Sequence, residues 1–153
     1  MWFKKLAYSF IYAGRGFARV LRKGRNLRIH LTAAFYVCAA GILGRLDEMQ
    51  WAAVFICFAT VIGAELINTS IETLGNAVSQ GQNRMIGAAK DIAAGAVLVC
   101  AVGAAAVAVC IFAFGGAGRT ALETLSCSVP AAVILILTLP AALIFIKGRR
   151  TWI

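Results

Sequence analysis

The chain has 153 residues, 61% of them hydrophobic, with a mean hydropathy of +0.86 and a formal net charge of +9. A water-soluble domain is closer to half apolar and scatters its charges, so this composition excludes an ordinary soluble globular protein. The cations flank apolar blocks instead of sharing a polar face with aromatics, which argues against nucleic acid and for anionic lipid headgroups as their partner.

In chain order, residues 2–23 predict an amphipathic helix. Phe3, Phe10 and Phe17 recur every seven residues, as do Leu6, Ala13 and Val20, while Arg15, Arg19, Arg22 and Lys23 gather on the remaining surface. A surface helix lying in the membrane interface and a generic basic anchor both fit this pattern. It does not read as a signal peptide, because the basic stretch is long and no small-residue cleavage site closes an apolar core.

Four apolar blocks follow, at 31–44, 50–64, 92–117 and 129–146. Each approaches or reaches the roughly 20 residues that a spanning helix needs. The first is short and is expected to extend back through Ile29 and Leu27, with Arg28 and His30 reaching toward the headgroups. Alternation with a period of two is absent, and Ala, Leu and Gly dominate. The predicted fold is therefore all-α: an integral membrane helical bundle with an N-terminal surface helix, three spans and a further fourth one.

The connectors are short. RLDEMQ joins the first two spans, residues 75–89 form the only long polar connector, and residues 115–127 read as a brief loop before the last span. Pro130 and Pro140 fall in that span, where neighbours and local adjustment tolerate them. The five cysteines show no CxxC spacing and read as small apolar fillers.

Charge sets an expected orientation. All of the 15 Lys and Arg residues except Arg45 and Arg119 lie in residues 1–30, in the connector between spans two and three, or after span four. By the positive-inside rule both termini and the 73–90 region face the cytoplasm, making the chain a multi-pass cell-membrane protein.

Acids are few. Asp47, Glu48 and Glu123 fall in outer connectors, whereas Glu65, Glu72 and Asp91 fall at the cytoplasmic ends of spans two and three. Glu65, Asn68 and Glu72 stand at i, i+3 and i+7 and so share one helix face. An ionisable group near hydrocarbon is costly unless it finds a partner or water. That stripe admits three uses: a structural tie, with Glu65 paired to Lys90 and Asn68 clamping helices; a transport or proton relay; or metal-assisted chemistry at the membrane surface. No Walker-type or GxGxxG phosphate loop is present, so phosphate handling would fall to Lys90, cations of the N-terminal segment and a carboxylate-bound Mg²⁺.

The segment AELINTSIETLGNAV at 64–78, followed by AAKDIAAGAVL at 88–98 with its Lys90 18 residues after Glu72, resembles the prokaryotic diacylglycerol kinase and undecaprenol kinase family. YAGRG at 12–16 and RNLRIH at 25–30 are similar to the undecaprenol kinase branch. The resemblance covers roughly residues 3–115 and implies a homotrimer of three-span protomers with active sites shared between neighbours. It further implies that ATP and a membrane lipid alcohol are the substrates, undecaprenol ahead of diacylglycerol, with Mg²⁺ as cofactor. By motif, Glu65 is implied as general base with Asn68 in the same site, and Glu72 as the Mg²⁺ ligand. Lys90 is implied to hold the nucleotide phosphates, with Asp91 orienting it, and Tyr12 to lie against the nucleotide. Three positions depart from the family pattern: Gly24 replaces a second metal-binding glutamate, Asn76 an aspartate and Lys5 an arginine. The expected organisation is a lipid-kinase domain at 1–118 and an extra transmembrane helix with a basic tail at 119–153. A scaffold that kept the fold without the chemistry is the alternative, because Gly24 brings no carboxylate.

Overall fold

A computed structural model describes residues 2–79, 81 and 83–148, and the described chain is helical almost throughout, with no strand. Helix α1 (Trp2–Lys23) leads into α2 (Arg25–Leu43), α3 (Glu48–Val78) and α4 (Arg84–Val109). A single π-helical turn (Cys110–Phe114) extends α4, and α5 (Ala117–Cys127) and α6 (Val129–Lys147) follow. Four segments are long and apolar enough to cross a bilayer: α2, α3, Arg84–Phe114 and α6.

Local chemistry fixes the boundaries. Gly24 interrupts α1 and α2 with an extended backbone, and its N–H bonds the Val20 carbonyl at 2.6 Å. Asp47 caps α3 through a reciprocal pair: its carboxylate accepts from Gln50 N at 2.8 Å, and Gln50 Oε1 accepts from Asp47 N at 3.1 Å. Asn83 caps α4 by accepting from the N–H groups of Met85 and Ile86. The polar connector between α3 and α4 is thus only residues 79–83, because nothing in 65–78 breaks the helix. At 31 residues α3 is about 46 Å long, well beyond the roughly 30 Å of hydrocarbon. Glu65 lies about 26 Å along it, close to the roughly 30 Å at which a helix entering hydrocarbon at Glu48 would leave it.

Packing is tightest between α3 and α4, where the Ala- and Gly-rich α4 permits close approach, as expected for helices in lipid. At the opposite end from Glu65, Leu46, Val54, Ile111 and Ala117 form a small core with Val37, Trp51, Phe58, Val107 and Phe112 against it. Most of the outward apolar surface, including Phe55, Ile56, Leu98, Val102, Ile136 and Leu137, is exposed, as a lipid-facing or subunit-facing surface should be.

Two sequence expectations need correction. Residues 115–127 are not a loop: after Gly116, whose positive φ of 79° turns the chain, Ala117–Cys127 forms an amphipathic helix that packs on α2. Gly44 makes this possible, since a Cβ there would stand 2.6 Å from the Ala117 carbonyl oxygen. The expected boundary at 118 therefore falls inside α5. Similarly, most of the expected 75–89 connector is helix.

Helix α6 contains no buried residue and lies against α2 and α5. Its polar tie inside the membrane is a hydrogen bond between Tyr36 Oη and Thr138 Oγ1 at 3.2 Å. Thr138 spends its own proton on the Leu135 carbonyl at 2.7 Å, so Tyr36 is the donor. Beyond the end of α6, Gly148 sits against the Arg28 guanidinium, which puts that end beside the start of α2. The four candidate spans thus alternate in direction, and the α1–α2 junction, the α3–α4 connector and the end of α6 share one end of the bundle. Arg149 and Arg150, counted in the charge argument, lie outside the described residues.

Substituting Gly44→Val should lower stability by about 1–3 kcal/mol, because backbone rather than a flexible side chain must move. Gly63→Ala, with open space around its added methyl, should not. Thermal unfolding midpoints in one detergent compare the two. Tyr36→Phe should cost only about 0.6 kcal/mol by the same measurement, the usual worth of an interhelical hydrogen bond in a membrane.

Candidate active site

Three residues of one α3 face come together as their spacing predicts. Glu65 is 3% exposed and Asn68 4%, the only buried polar side chains among the described residues. Asn68 Nδ2 donates to Glu72 Oε1 at 3.3 Å, but Asn68 Oδ1 and Glu65 Oε2 have no hydrogen-bond partner. Two buried acceptors without donors cost roughly 1–3 kcal/mol each unless something else supplies the donor or cation.

These carboxylates line a cleft of about 730 Å³ between the α1–α2 junction and the last turns of α3. Glu65 and Glu72 stand on one wall with Thr69, Ser70, Thr73 and Asn76. Gly16, Arg19, Val20 and Lys23 of α1, then Gly24, Arg25 and Asn26, form the other. The α1 residues repeat at i, i+3, i+4 and i+7, so one face of that helix, with Arg19 and Lys23 among its residues, turns to the cleft.

Lys90 approaches from α4. Its ammonium donates to Asn76 Oδ1 at 2.7 Å, and its stem crosses directly over Gly75, where a Cβ would lie 2.8 Å from Lys90 Cε. Glycine at 75 is therefore what lets the lysine pass over α3 toward the cleft wall. The structural tie between Glu65 and Lys90 does not form. Lys90 also lines a second hollow of about 580 Å³ with Ser79, Asn83, Arg84 and Gly87.

Two expected site residues are not brought to the cleft within one chain. Tyr12 is exposed on α1, stacked on Tyr8 with ring centroids 6.4 Å apart and with Arg15 Cζ 5.9 Å from its own centroid. Asp91 is exposed on α4 and borders neither hollow.

Sequence reasoning foresaw cations from the N-terminal segment but did not single out Arg19, Lys23 and Arg25, nor the hydroxyls Thr69, Ser70 and Thr73. The signal available was the Gly16, Val20, Lys23 spacing, which marks the helix face that packs closest. As for a metal, no group of three or more His, Cys, Asp or Glu side chains gathers among the described residues. Glu65, Glu72 and the free amide oxygen of Asn68 are instead a set of hard oxygen donors at the cleft. Mg²⁺ is bound that way, through one or two carboxylates, and the donor set fits it.

A family model described as prokaryotic diacylglycerol kinase matches residues 11–112. The chain is 36% identical over 104 residues to the undecaprenol kinase of Bacillus subtilis, across 68% of this chain and 85% of that protein. It is 35% identical over 107 residues to the diacylglycerol kinase of a Synechocystis species, across 69% of this chain and 61% of that protein. No solved structure matches it. The matched residues hold α1 from Ile11 onward, α2, α3, α4 and the whole cleft, leaving α5 and α6 beyond them. This chain is a multi-pass membrane protein of the prokaryotic diacylglycerol kinase family, the lipid kinases that phosphorylate an alcohol.

Proposed function

We propose that the chain transfers the γ-phosphoryl group of ATP to the hydroxyl of a membrane lipid alcohol at the cytoplasmic surface, undecaprenol ahead of diacylglycerol. The observation that carries this reading is the unpartnered Glu65 Oε2, buried at the membrane boundary on the wall of an open polar cleft. A lipid hydroxyl reaches that depth without leaving the bilayer, whereas a water-soluble substrate enters from the cationic side. The preference for undecaprenol rests on YAGRG and RNLRIH and on the fuller coverage of the undecaprenol kinase relative.

In this reading Glu65 accepts the proton of the lipid O–H as its oxygen bonds the γ-phosphorus. The bond from that phosphorus to the bridging oxygen breaks, and ADP departs with the electron pair. Phosphoryl transfer asks little covalent help of a protein, so holding the two oxygens in line and neutralising charge suffice. Asn68, bonded to Glu72, fixes that carboxylate while keeping its own amide oxygen free. Glu72 would hold Mg²⁺, with water and the substrate phosphates completing its shell, and the ion would supply charge neutralisation on the phosphate oxygens. Lys90, held at the cleft edge by Asn76, offers its ammonium to the nucleotide phosphates. Tyr12 and Asp91 stand away from the cleft of their own chain, which favours a homotrimer in which neighbours complete each site. The exposed apolar faces of α3 and α4 are the surfaces left for that contact, because α6 covers part of α2. The clustering of Lys and Arg at the junction end of the bundle supports a cytoplasmic orientation of both termini by the positive-inside rule.

Glu65→Gln keeps shape and removes the base, and should lower transfer at least about 100-fold in a purified assay with ATP, Mg²⁺ and each lipid alcohol. If neither alcohol is phosphorylated by the unaltered protein at any Mg²⁺ concentration, the non-catalytic scaffold is the better reading. Gly24→Glu should lower the Mg²⁺ concentration needed for half-maximal rate relative to Gly24→Ala. Alanine is the proper reference because any Cβ at 24 would stand 2.9 Å from the Val20 carbonyl oxygen.

A further inference from the structure

We infer that Arg19, Lys23 and Arg25 form a phosphate cradle at the α1–α2 junction that grips the polyphosphate of the nucleotide directly, without a metal. The inference rests on the lipid-kinase reading and adds the recognition residues on the nucleotide side of the same cleft.

Three observations lead to it. The cleft carries three cations, Arg19, Lys23 and Arg25, against two carboxylates, Glu65 and Glu72. None of the three cations forms an ion pair or hydrogen bond through its side chain among the described residues, although both carboxylates share the cleft with them. Depth also separates the groups: all three cations and Glu72 are exposed, whereas Glu65 alone among the cleft's charged residues is buried, with one oxygen unpartnered. A cleft whose exposed mouth carries three cations against Glu72, and whose floor is the buried Glu65, takes a ligand whose anionic part stays at the mouth and whose far end meets the floor. A polyphosphate chain entering from water does this, with the terminal phosphate nearest Glu65.

The junction suits such a grip. Gly24 lies between Lys23 and Arg25 with an extended backbone and no side chain, so two cations project from adjacent turns with nothing between them. Arg19 stands one helical turn before Lys23 on the same face. Arginine contributes a bidentate fork to phosphate oxygens and lysine a point charge, and such contacts are the stronger class of hydrogen bond. Cations at these positions also supply part of the neutralisation that a carboxylate-held metal would otherwise have to provide.

The test is nucleotide binding in EDTA, with trinitrophenyl-ATP as probe and the full chain in nanodiscs of phosphatidylcholine. Arg19→Gln, Lys23→Gln and Arg25→Gln should each raise the Kd about tenfold, the loss of one charge-assisted contact. Inorganic triphosphate should displace the probe, and Arg19→Lys or Arg25→Lys should retain most of the affinity, which also shows that the fold survives change there. Arg22→Gln removes the same charge from the same turn but does not line the cleft, and should leave Kd unchanged. Equal affinities for the glutamine variants and the unaltered protein, with phosphate transfer intact, would overturn the cradle and leave the lipid kinase standing. A loss as large for Arg22→Gln would equally overturn it, since net charge alone would then explain the effect. An unaltered protein that neither binds the probe nor phosphorylates a lipid would remove the cradle and the function together.

Discussion

The rest of this structure depends on an imbalance of hydrogen bonding inside one apolar helix. Glu65 and Asn68 bring four polar side-chain atoms to a buried position, and two of the acceptors, one on each residue, have no partner. Burial without partners costs free energy that nothing in the surrounding helices returns. A structural tie would have removed that cost by pairing Glu65 with Lys90, yet the lysine reaches Asn76 instead. The acceptors are kept open, and an open acceptor at the floor of a cleft is what a proton-accepting or cation-holding site requires.

Geometry around that point follows from helix length and small residues. Because α3 outruns the hydrocarbon, its polar stripe emerges where lipid hydroxyls and water-borne phosphates can meet. Gly75 lets Lys90 cross the helix without a clash, and Asn76 receives it as a neutral acceptor. An aspartate at 76 would bind the same ammonium as an ion pair and leave less of its charge for phosphate. The substitution at 76 and the cationic junction around Gly24 therefore act in one direction: both leave the cleft more positive than the implied family pattern.

Much of this was legible in the sequence, for reasons that are physical. Long apolar blocks can only be spans, and a shared face at i, i+3 and i+7 survives any detail of packing, so the spans and the Glu65, Asn68, Glu72 stripe were readable. Lys90, named through the resemblance, crosses α3 at Gly75 and reaches Asn76 on the cleft wall. What escaped was of two kinds. Helix α5 is short and nearly neutral in hydropathy, follows two glycines, and becomes amphipathic only once its partner on α2 is known. The cleft-lining role of Arg19, Lys23 and Arg25 depends on how α1 meets α3 across a one-residue break, which no local pattern encodes. Tyr12 and Asp91 belong to a third case, since a single chain leaves both exposed.

The fourth span bears on the cleft through a short mechanical path. No residue of α6 is fully buried and only one face, with Leu135, Thr138, Ala142 and Ile146, is half-buried, and in lipid apolar surface alone chooses weakly between faces of α2. Its specificity rests on polar and close contacts: Tyr36 with Thr138 inside the membrane, and Gly148 against Arg28 at the junction end. Arg28 also donates to the Arg22 carbonyl at 3.4 Å, across the break between α1 and α2. The end of α6 therefore leans on the same arginine that bridges the junction carrying Lys23, Gly24 and Arg25. The break at Gly24 has no side chain to brace it, so contacts made by α6 with its bridging residue bear on how that wall is held. In this chain the element outside the family match thus reaches the α1–α2 junction through the Arg28 guanidinium.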